Sequence, residues 1–197
     1  QRESALPLPE LSFHVRVGKQ RREKALIAEA AVRHIAEGDT VALDASSTAF
    51  ALVPYLKNFQ KLTVVTNSLM VAQSLLDSPH VSVLLPGGRL RRDSISVVGR
   101  PEGLPSVNLN VGFFGARGVS LVGGISDVDA DEVAIKQAMV ARCVRSIILV
   151  DGSKWGQVAP YTFATAGQVQ HIITGGDVPR DLVVEFRIAG VQVEIVS

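Results

Sequence analysis

The sequence predicts an α/β domain that is built on a doubly wound, mostly parallel β-sheet. Short aliphatic segments alternate with helix-like segments along the chain, and small or polar residues follow the aliphatic segments. Hydrophobic residues make up 47% of the sequence but aromatic residues only 5%, a composition typical of parallel sheets that are covered on both faces. A chain of 197 residues is long enough for one domain with a sizeable core.

The first half of the chain contains three strand-then-turn units in a row, which indicate right-handed parallel crossovers. A helix precedes them, because apolar residues recur at helical spacing from Lys24 to Glu37 and Gly38 is a typical stop. The strands, each with its closing turn, are expected at 41–44, 62–68 and 81–88. The helix that begins near Ser47 contains Pro54 and must therefore bend or be short.

The second half continues the alternation of strands and helices. The Gly-rich segment 89–103 fits either a hairpin or a strand that leads into a helix. Further strands are expected at 107–118, 146–156, 170–174 and 191–196. Helices are expected at 126–143, where acidic residues form an N-terminal cap, and near 179–188.

Composition excludes several classes of protein. The formal net charge is +1, so the chain as a whole is not an electrostatic binder of nucleic acid. The only cysteine, Cys143, excludes an intramolecular disulfide framework and fits a reducing compartment. No apolar run approaches the length of a membrane span and no signal peptide is recognisable, so we expect a cytoplasmic protein with no membrane partner.

The beginning of the chain has the character of a linker. It opens at Gln1 without an initiator methionine, and the segment up to Lys24 shows little apolar periodicity. The basic run 19–24 fits either a nucleic-acid patch or a solvated first helical turn, and the second interpretation is favoured.

Polar turns follow four of the expected parallel strands, and the carboxyl ends of parallel strands meet at one edge of a sheet. These turns supply hydroxyl groups, an amide, exposed glycine backbone and one cation: Ser46, Ser47, Thr48, Thr66, Asn67, Ser68, Gly87, Gly88, Ser153 and Lys154. Such donors, together with the positive end of a helix, suit a polyhydroxylated anion such as a sugar phosphate. The alternatives are that Ser47 only caps a helix, that Asp44 only accepts from loop amides, and that Lys154 is an ordinary surface lysine.

The remaining motifs carry weaker chemistry. Glu132 and Lys136 stand four residues apart on a helix and are expected to form a solvated pair. The four histidines show no metal-ligand spacing, and neither a G-x-G-x-x-G nor a G-x-S-x-G motif is present. We therefore predict no metal, no cofactor and no catalytic residue. A basic run follows Gly88 and fits a phosphate contact, a subunit contact or a solvated loop: Arg89, Arg91 and Arg92.

A series of motifs resembles one family in order and over nearly the whole chain, from about Ser4 to Val196. The motifs are EKALIAEAA, GDTVALDASST, LTVVTNS, PGG followed by SVVG, FFGARG, DEVAIKQAM and VDGSK. They resemble the effector-binding domain of DeoR-type bacterial transcriptional regulators. The resemblance implies that 1–22 is a linker remnant from a missing winged helix-turn-helix domain. Residues 23–197 would be the effector domain, similar in fold to ribose-phosphate isomerases.

The resemblance further implies a repressor of sugar metabolism that binds a phosphorylated sugar, contacts operator DNA only through the missing domain, and forms a homo-oligomer. The ligand-binding residues that we predict are Asp44, Ser46, Ser47, Thr48, Thr66, Asn67, Ser68, Gly87, Gly88, Arg92, Lys136, Asp151, Ser153 and Lys154. Lys154 is expected to close on the anion.

One departure from the family pattern bears on chemistry. Arg117 stands where the family often has an acidic residue, and the isomerases of similar fold keep a carboxylate in that turn for proton transfer. With an arginine there, enolisation lacks an obvious base, which favours a binding role. The alternative is a sugar-phosphate isomerase or related transferase, for which Glu132 is the candidate base. A plain oligomerisation module is a third interpretation, which the four polar turns disfavour.

Overall fold

A computed structural model describes residues 10–197, and the first nine residues of the expected linker lie outside the described part. Twelve strands are present there, namely β1 (Thr40–Leu43), β2 (Leu62–Thr66), β3 (Val81–Leu84), β4 (Arg89–Arg91), β5 (Ser96–Val98), β6 (Leu109–Gly115), β7 (Gly118–Ser120), β8 (Gly124–Asp127), β9 (Cys143–Asp151), β10 (Tyr161–Ala164), β11 (His171–Gly175) and β12 (Gln192–Val196). Seven α-helices accompany them, namely α1 (Phe13–Gly18), α2 (Arg21–Val32), α3 (Ser47–Phe50), α4 (Val53–Leu56), α5 (Leu69–Ser74), α6 (Ala130–Arg142) and α7 (Arg180–Ile188).

The central sheet has seven strands in the order β12-β11-β9-β6-β1-β2-β3, and every neighbouring pair is parallel. The chain builds outward from β1 to β3 and then returns to β6, which pairs with the other side of β1. The strand order therefore reverses between β1 and β6. This arrangement confirms the predicted doubly wound α/β fold, in which ligands bind where the order reverses.

Helices cover both faces of this sheet, which explains the aliphatic composition of the strands. One core contains residues of α2 to α5, and the other contains residues of α6 and α7. In β1 the consecutive residues Val41, Ala42 and Leu43 are all fully buried, because successive side chains point to opposite faces and both faces are covered. Helices α3 and α4 are two short pieces and Pro54 lies in the first turn of α4, as the proline predicted.

Two small antiparallel units flank the central sheet. Strands β4 and β5 form a hairpin, which decides between the two interpretations of 89–103. Strands β10, β8 and β7 form a second, three-stranded sheet that the alternation of strands and helices did not predict. Within residues 10–197, none of the helices has both the length and the apolar character that a bilayer crossing requires.

The described part of the expected linker is folded onto the domain. Residues 13–18 form α1, and Phe13 is 1% exposed. Its ring packs edge-on against Phe50 at 5.3 Å, and its backbone N–H donates to the carbonyl of Asp93. Helix α2 also begins at Arg21, before the expected boundary at 23. Residues 13–22 are therefore part of the folded domain and not an extended linker. Burial of the Phe13 ring stabilises this segment against the domain although its sequence lacks apolar periodicity.

Candidate functional site

Asp44 organises the point where the strand order reverses. It directly follows β1 and is fully buried. Its carboxylate accepts from the backbone N–H of Ser46 at 3.0 Å and from that of Gly115, at the end of β6, at 2.8 Å. Gly115 has to be glycine, since a Cβ there would overlap the side chain of Ser46. Asp44 thus joins the two central strands at their carboxyl ends.

Lys136 reaches the same point from α6. Its Nζ donates to the carbonyl of Gly115 at 2.8 Å and pairs with Asp44 at 2.8 Å and Asp127 at 2.6 Å. Burial alone would lower the pKa of Lys136, but the two carboxylates outweigh burial and raise this pKa. Lys136 therefore remains protonated and holds the loops after β1, β6 and β8 together.

The expected solvated pair between Glu132 and Lys136 is wrong. Both side chains are buried, and Lys136 pairs with the aspartates. The oxygens of Glu132 instead accept from hydroxyl and amide groups of Ser94, Ser96 and Asn67. The helical spacing of four residues placed the two side chains on one face but could not specify their partners.

All three residues of the hydroxyl cluster after β1 line one cavity, but the hydroxyl of Ser46 is already used as a helix cap. Ser46 is the N-cap of α3, and its Oγ accepts from the backbone N–H of Ala49 at 3.1 Å. Ser47 and Thr48 lie in the first turn of α3 and line a cavity of about 150 Å³. Capping is therefore the role of Ser46, and it leaves the hydroxyl of Ser47 available to a ligand.

This cavity, which we call the edge cavity, lies outside the carboxyl ends of the central strands and is rich in cations. Its basic lining residues come from three parts of the chain: Arg16, Lys19, Lys24, Arg117 and Lys154. The remaining lining residues are Leu11, Gln20, Ser46, Ser47, Thr48, Gly115, Ala116, Asp127 and Asp151. Helix α1 and the start of α2 cover it, and the ammonium of Lys24 donates to the carbonyls of Arg16 and Lys19.

Lys154 reaches the edge cavity from a single turn of 3₁₀-helix after β9. Asp151 caps this turn by accepting from the backbone N–H of Ser153 at 2.9 Å and from its hydroxyl. The ammonium of Lys154 is 3.8 Å from Asp151 Oδ2, and its side chain is 26% exposed. Lys154 is therefore a loosely held cation beside the hydroxyl groups of α3.

Several predicted ligand residues lie outside the edge cavity, and the hydrogen bonds they make explain why. Thr66 and Ser68 are fully buried; Thr66 Oγ1 accepts from the N–H of Ser68, and Ser68 Oγ caps α5. Asn67 donates to Val97 and Glu132. The residues that do not line the cavity are Asp44, Thr66, Asn67, Ser68, Gly87, Gly88, Arg92, Lys136 and Ser153.

The two glycines and Arg92 are placed elsewhere by the β4–β5 hairpin. Gly88 has a φ of +153°, and a Cβ there would overlap the carbonyl of Val98, so it serves close packing of the hairpin. Arg92 is exposed. Arg91 instead points inward, where its guanidinium contacts Asp129 at 3.0 Å and Glu10.

Sequence reasoning missed a group of charged residues beside the edge cavity: Glu10, Arg16, Arg91, Arg117 and Asp127. The sequence shows Arg117 only as a departure from a motif and Arg91 only as part of a basic run. Arg92 lies in the turn after β4 and not in the strand, so no local pattern separates it from the inward-pointing Arg91.

Two other features of the described residues are candidate sites of a different kind. A larger groove of about 590 Å³ lies beside α2, α3 and α4, but its lining is mostly apolar. His34, His171 and Glu194 also come within 4.8 Å of one another, although their separation in sequence gave no metal-ligand spacing. Glu194 pairs with Arg33 at 2.6 Å and Arg145 donates to the carbonyl of His34, and these cations disfavour a metal ion there.

Comparison with known proteins identifies the family. The chain is 32% identical over 190 residues to the HTH-type transcriptional regulator GolR of Listeria innocua, which covers 93% of this chain and 73% of the relative. It is 29% identical over 197 residues to the putative aga operon transcriptional repressor of Escherichia coli O157:H7, covering 99% of this chain and 73% of the relative. It is also 28% identical over 180 residues to the glycerol-3-phosphate regulon repressor of Escherichia coli K12, covering 89% of this chain and 71% of the relative.

Solved structures support the fold. Ribose 5-phosphate isomerase A of Methanocaldococcus jannaschii matches with a TM-score of 0.50 and 15% identity, over 70% of this chain and 55% of that one. The eIF2B beta subunit of Chaetomium thermophilum matches with a TM-score of 0.54 and 18% identity, over 77% of this chain and 48% of that one.

A family model described as the DeoR C-terminal sensor domain matches residues 19–176. The chain therefore belongs to the DeoR family of transcriptional regulators.

Proposed function

We propose that this domain binds a phosphorylated sugar in the edge cavity, and that binding changes the affinity of the full-length repressor for its operator. The observation that carries the proposal is the combination of cations with the free hydroxyls of Ser47 and Thr48 at the reversal of strand order. Hydroxyl groups, helix N–H groups and a lysine are the donors that phosphate groups use in other proteins. In full-length relatives, DNA binding is proposed to reside in a domain that precedes this one.

The names of two relatives agree with this class of ligand. One relative is called a glycerol-3-phosphate regulon repressor and another a putative aga operon repressor. Glycerol 3-phosphate, the compound in the first name, is a phosphorylated polyol and carries phosphate and hydroxyl groups as a sugar phosphate does. For this chain we propose the class of phosphorylated sugars and not an individual compound.

A sensing role is favoured over isomerase chemistry because the carboxylates near the cavity are already engaged. Glu132 accepts hydrogen bonds from two serines and an asparagine, and Asp127 pairs with Lys136. Burial alone would raise the pKa of Asp127, but the ammonium of Lys136 that faces it outweighs burial and lowers this pKa. A general base needs a carboxylate that is free to take a proton near neutral pH, and these two carboxylates are held otherwise. Asp151, the other carboxylate that lines the cavity, accepts from the backbone N–H and the hydroxyl of Ser153.

We also propose that the chain self-associates, as the family resemblance implies. The tip of the three-stranded sheet presents Val122, which is fully exposed, next to Val158, which is 62% exposed and lies against Gly123. Apolar side chains that cluster in this way commonly mark contacts between subunits. Light scattering should give a mass above that of the monomer and Val122→Asp should reduce it, whereas a strict monomer at high concentration would contradict self-association.

The experiment that tests the proposed function is a thermal-shift screen of phosphorylated sugars against their unphosphorylated counterparts. A ligand at one hundred times its dissociation constant stabilises the folded state by about 2.7 kcal/mol, which is readily measured. Each compound that stabilises the protein is then incubated with it and followed by NMR. Return of the compound unchanged supports a sensor; conversion to an isomer would establish the enzyme alternative. The absence of any phosphate-dependent stabilisation would refute the proposal.

A further inference from the structure

A carboxylate of the chain itself lies among three arginines beside the edge cavity. Arg91 donates to Glu10 Oε2, and the Nη2 atoms of Arg16 and Arg117 each approach Glu10 Oε1 to 3.7 Å. All four side chains are largely buried, with Glu10 15% exposed and Arg16 13% exposed. Arg91 belongs to β4 and Arg117 to the loop after β6, so the fixed part of the domain supplies two of the three cations.

Glu10 does not supply hydrogen-bond acceptors for all the N–H groups of these arginines. A distance of 3.7 Å is too long for a hydrogen bond, and the Nη2 atoms of Arg16 and Arg117 are buried without any hydrogen-bond partner. Burial accordingly lowers the pKa of Arg16, and the nearby charge of Glu10 only partly offsets it. Leaving a charged donor buried and unpaired is costly. Arg91 has a second carboxylate partner in Asp129 at 3.0 Å, so the unmet donors are those of Arg16 and Arg117. An anion with three terminal oxygens offers an acceptor to each of these two arginines and one to Arg91, whereas the carboxylate of Glu10 is hydrogen-bonded to Arg91 alone.

The arginine group overlaps the proposed effector site, because Arg16 and Arg117 also line the edge cavity. The pocket around Glu10 and the edge cavity share Arg16, Ser46 and Asp127 as lining residues. The phosphate of the proposed ligand is assigned to α3 and Lys154, which leaves the arginines for another group of the same molecule. A ligand that spans both places presents one anionic group to Lys154 and a second to the arginines.

We propose that Arg16, Arg91 and Arg117 form a second oxyanion subsite, which takes a second acidic group of the effector, and that Glu10 occupies this subsite as an internal competitor. The inference rests on the proposed function and narrows its ligand class to doubly anionic sugars, such as bisphosphates or phosphorylated sugar acids. Glu10 precedes α1, so its displacement frees the chain on the N-terminal side of Phe13. Arg16 stays with the domain, because Phe13 anchors α1 against Phe50. Ligand binding is thereby coupled to the segment through which a preceding domain would be attached.

The test measures binding of inorganic phosphate by calorimetry to four proteins: the wild type, Glu10→Gln, Glu10→Gln/Arg117→Gln, and Glu102→Gln. Glu102 is an exposed glutamate on the 3₁₀ turn after β5, so its variant makes the same change of charge away from the subsite. Removal of the competitor should tighten phosphate binding at least tenfold, and the added Arg117→Gln should reverse the gain. Glu102→Gln should behave as the wild type. A Glu10→Gln protein that binds phosphate no better than the wild type, or not at all, would refute the subsite.

A second measurement reports displacement of Glu10 without any substitution. Glutamyl endopeptidase cleaves after glutamate, and the bond after Glu10 should be cut several-fold faster when phosphate is added to the wild type. Cleavage after Glu102 is the internal control. An unchanged rate after Glu10 at saturating phosphate would show that Glu10 is not displaced.

The second acidic group is identified by comparing a sugar bisphosphate, a phosphorylated sugar acid and a sugar monophosphate. The first two should bind more tightly than the third, and Arg117→Gln should remove that advantage. The proposed function fails separately: if Lys154→Met leaves all three affinities unchanged, the phosphate assignment at α3 is wrong, whatever the result for Glu10. Equal affinity for all three compounds would refute the second subsite while leaving a monophosphate sensor in place.

Discussion

Replacing Lys136 with methionine would leave the carboxylates of Asp44 and Asp127 facing each other without their shared cation. Lys136 Nζ lies 2.8 Å from Asp44 and 2.6 Å from Asp127, and Lys136 and Asp44 are almost completely buried. Loss of one partner of a buried ion pair costs about 3–5 kcal/mol. Asp44 retains two backbone N–H donors and Asp127 is 16% exposed, so we expect a value near the lower end, about 3 kcal/mol.

For a chain of this length, a loss of about 3 kcal/mol corresponds to a fall in Tm of roughly 6–12 °C. Urea unfolding should show the loss of free energy directly. Trp155, the only tryptophan, is 4% exposed and packs against Phe186, so its fluorescence reports unfolding. Because one carboxylate of the variant can be neutralised by a proton in place of the ammonium, the deficit of the variant should shrink as the pH is lowered.

Lys57→Met is the matched control. Lys57 pairs with Asp77 at the same distance of 2.8 Å, but Asp77 is 71% exposed. An exposed pair contributes only about 0–1 kcal/mol. The double variant Asp127→Asn/Lys136→Met should recover part of the stability, because it removes one unpaired charge. Equal small losses for Lys136→Met and Lys57→Met would refute the view that Lys136 holds the loops together.

Three further outcomes are expected. Lys154→Met should leave the fold intact and weaken binding of a phosphorylated sugar ten- to a hundredfold, about 1.5–3 kcal/mol; wild-type affinity by calorimetry would place the phosphate elsewhere. Ser47→Ala should weaken the phosphorylated ligand more than its unphosphorylated counterpart, whereas Ser46→Ala, which removes the cap, should cost about 1 kcal/mol of stability; equal stability losses in urea unfolding would contradict this division. Burial lowers the pKa of His34 and of His171 in the folded protein. The unfolded chain therefore binds protons at these histidines more readily, and the free energy of unfolding should fall as the pH drops below about 6.5. A variant with glutamine at both positions whose Tm depends on pH as steeply as that of the wild type would refute this expectation.

The sequence by itself determined the strands of the central parallel sheet, the turns that follow them and the class of fold, since these depend on local patterns, but it did not show the three-stranded antiparallel sheet. Aliphatic runs such as those of β1 and β2 are short, and a polar turn follows each of them. Pro54 similarly predicted the break between α3 and α4, because the ring of proline cannot continue a helix. The sequence placed the expected site at this edge of the sheet for the same reason: strand ends and helix starts are visible in the chain, and topology brings them to one edge. The ligand residues themselves stay a prediction.

Only the tertiary structure decided which polar side chains face the edge cavity. Lys136, expected in a solvated pair, is buried behind the edge cavity because Asp44 and Asp127, distant in sequence, converge on it. Arg91 points inward because it pairs with Ser96 in the hairpin and contacts Glu10 and Asp129, whereas Arg92 lies in the turn after β4 and is exposed. The helix at Phe13 forms against Phe50, a contact that no local pattern encodes. Local propensities specify where the backbone turns, whereas the partner of a buried charge depends on every element packed around it.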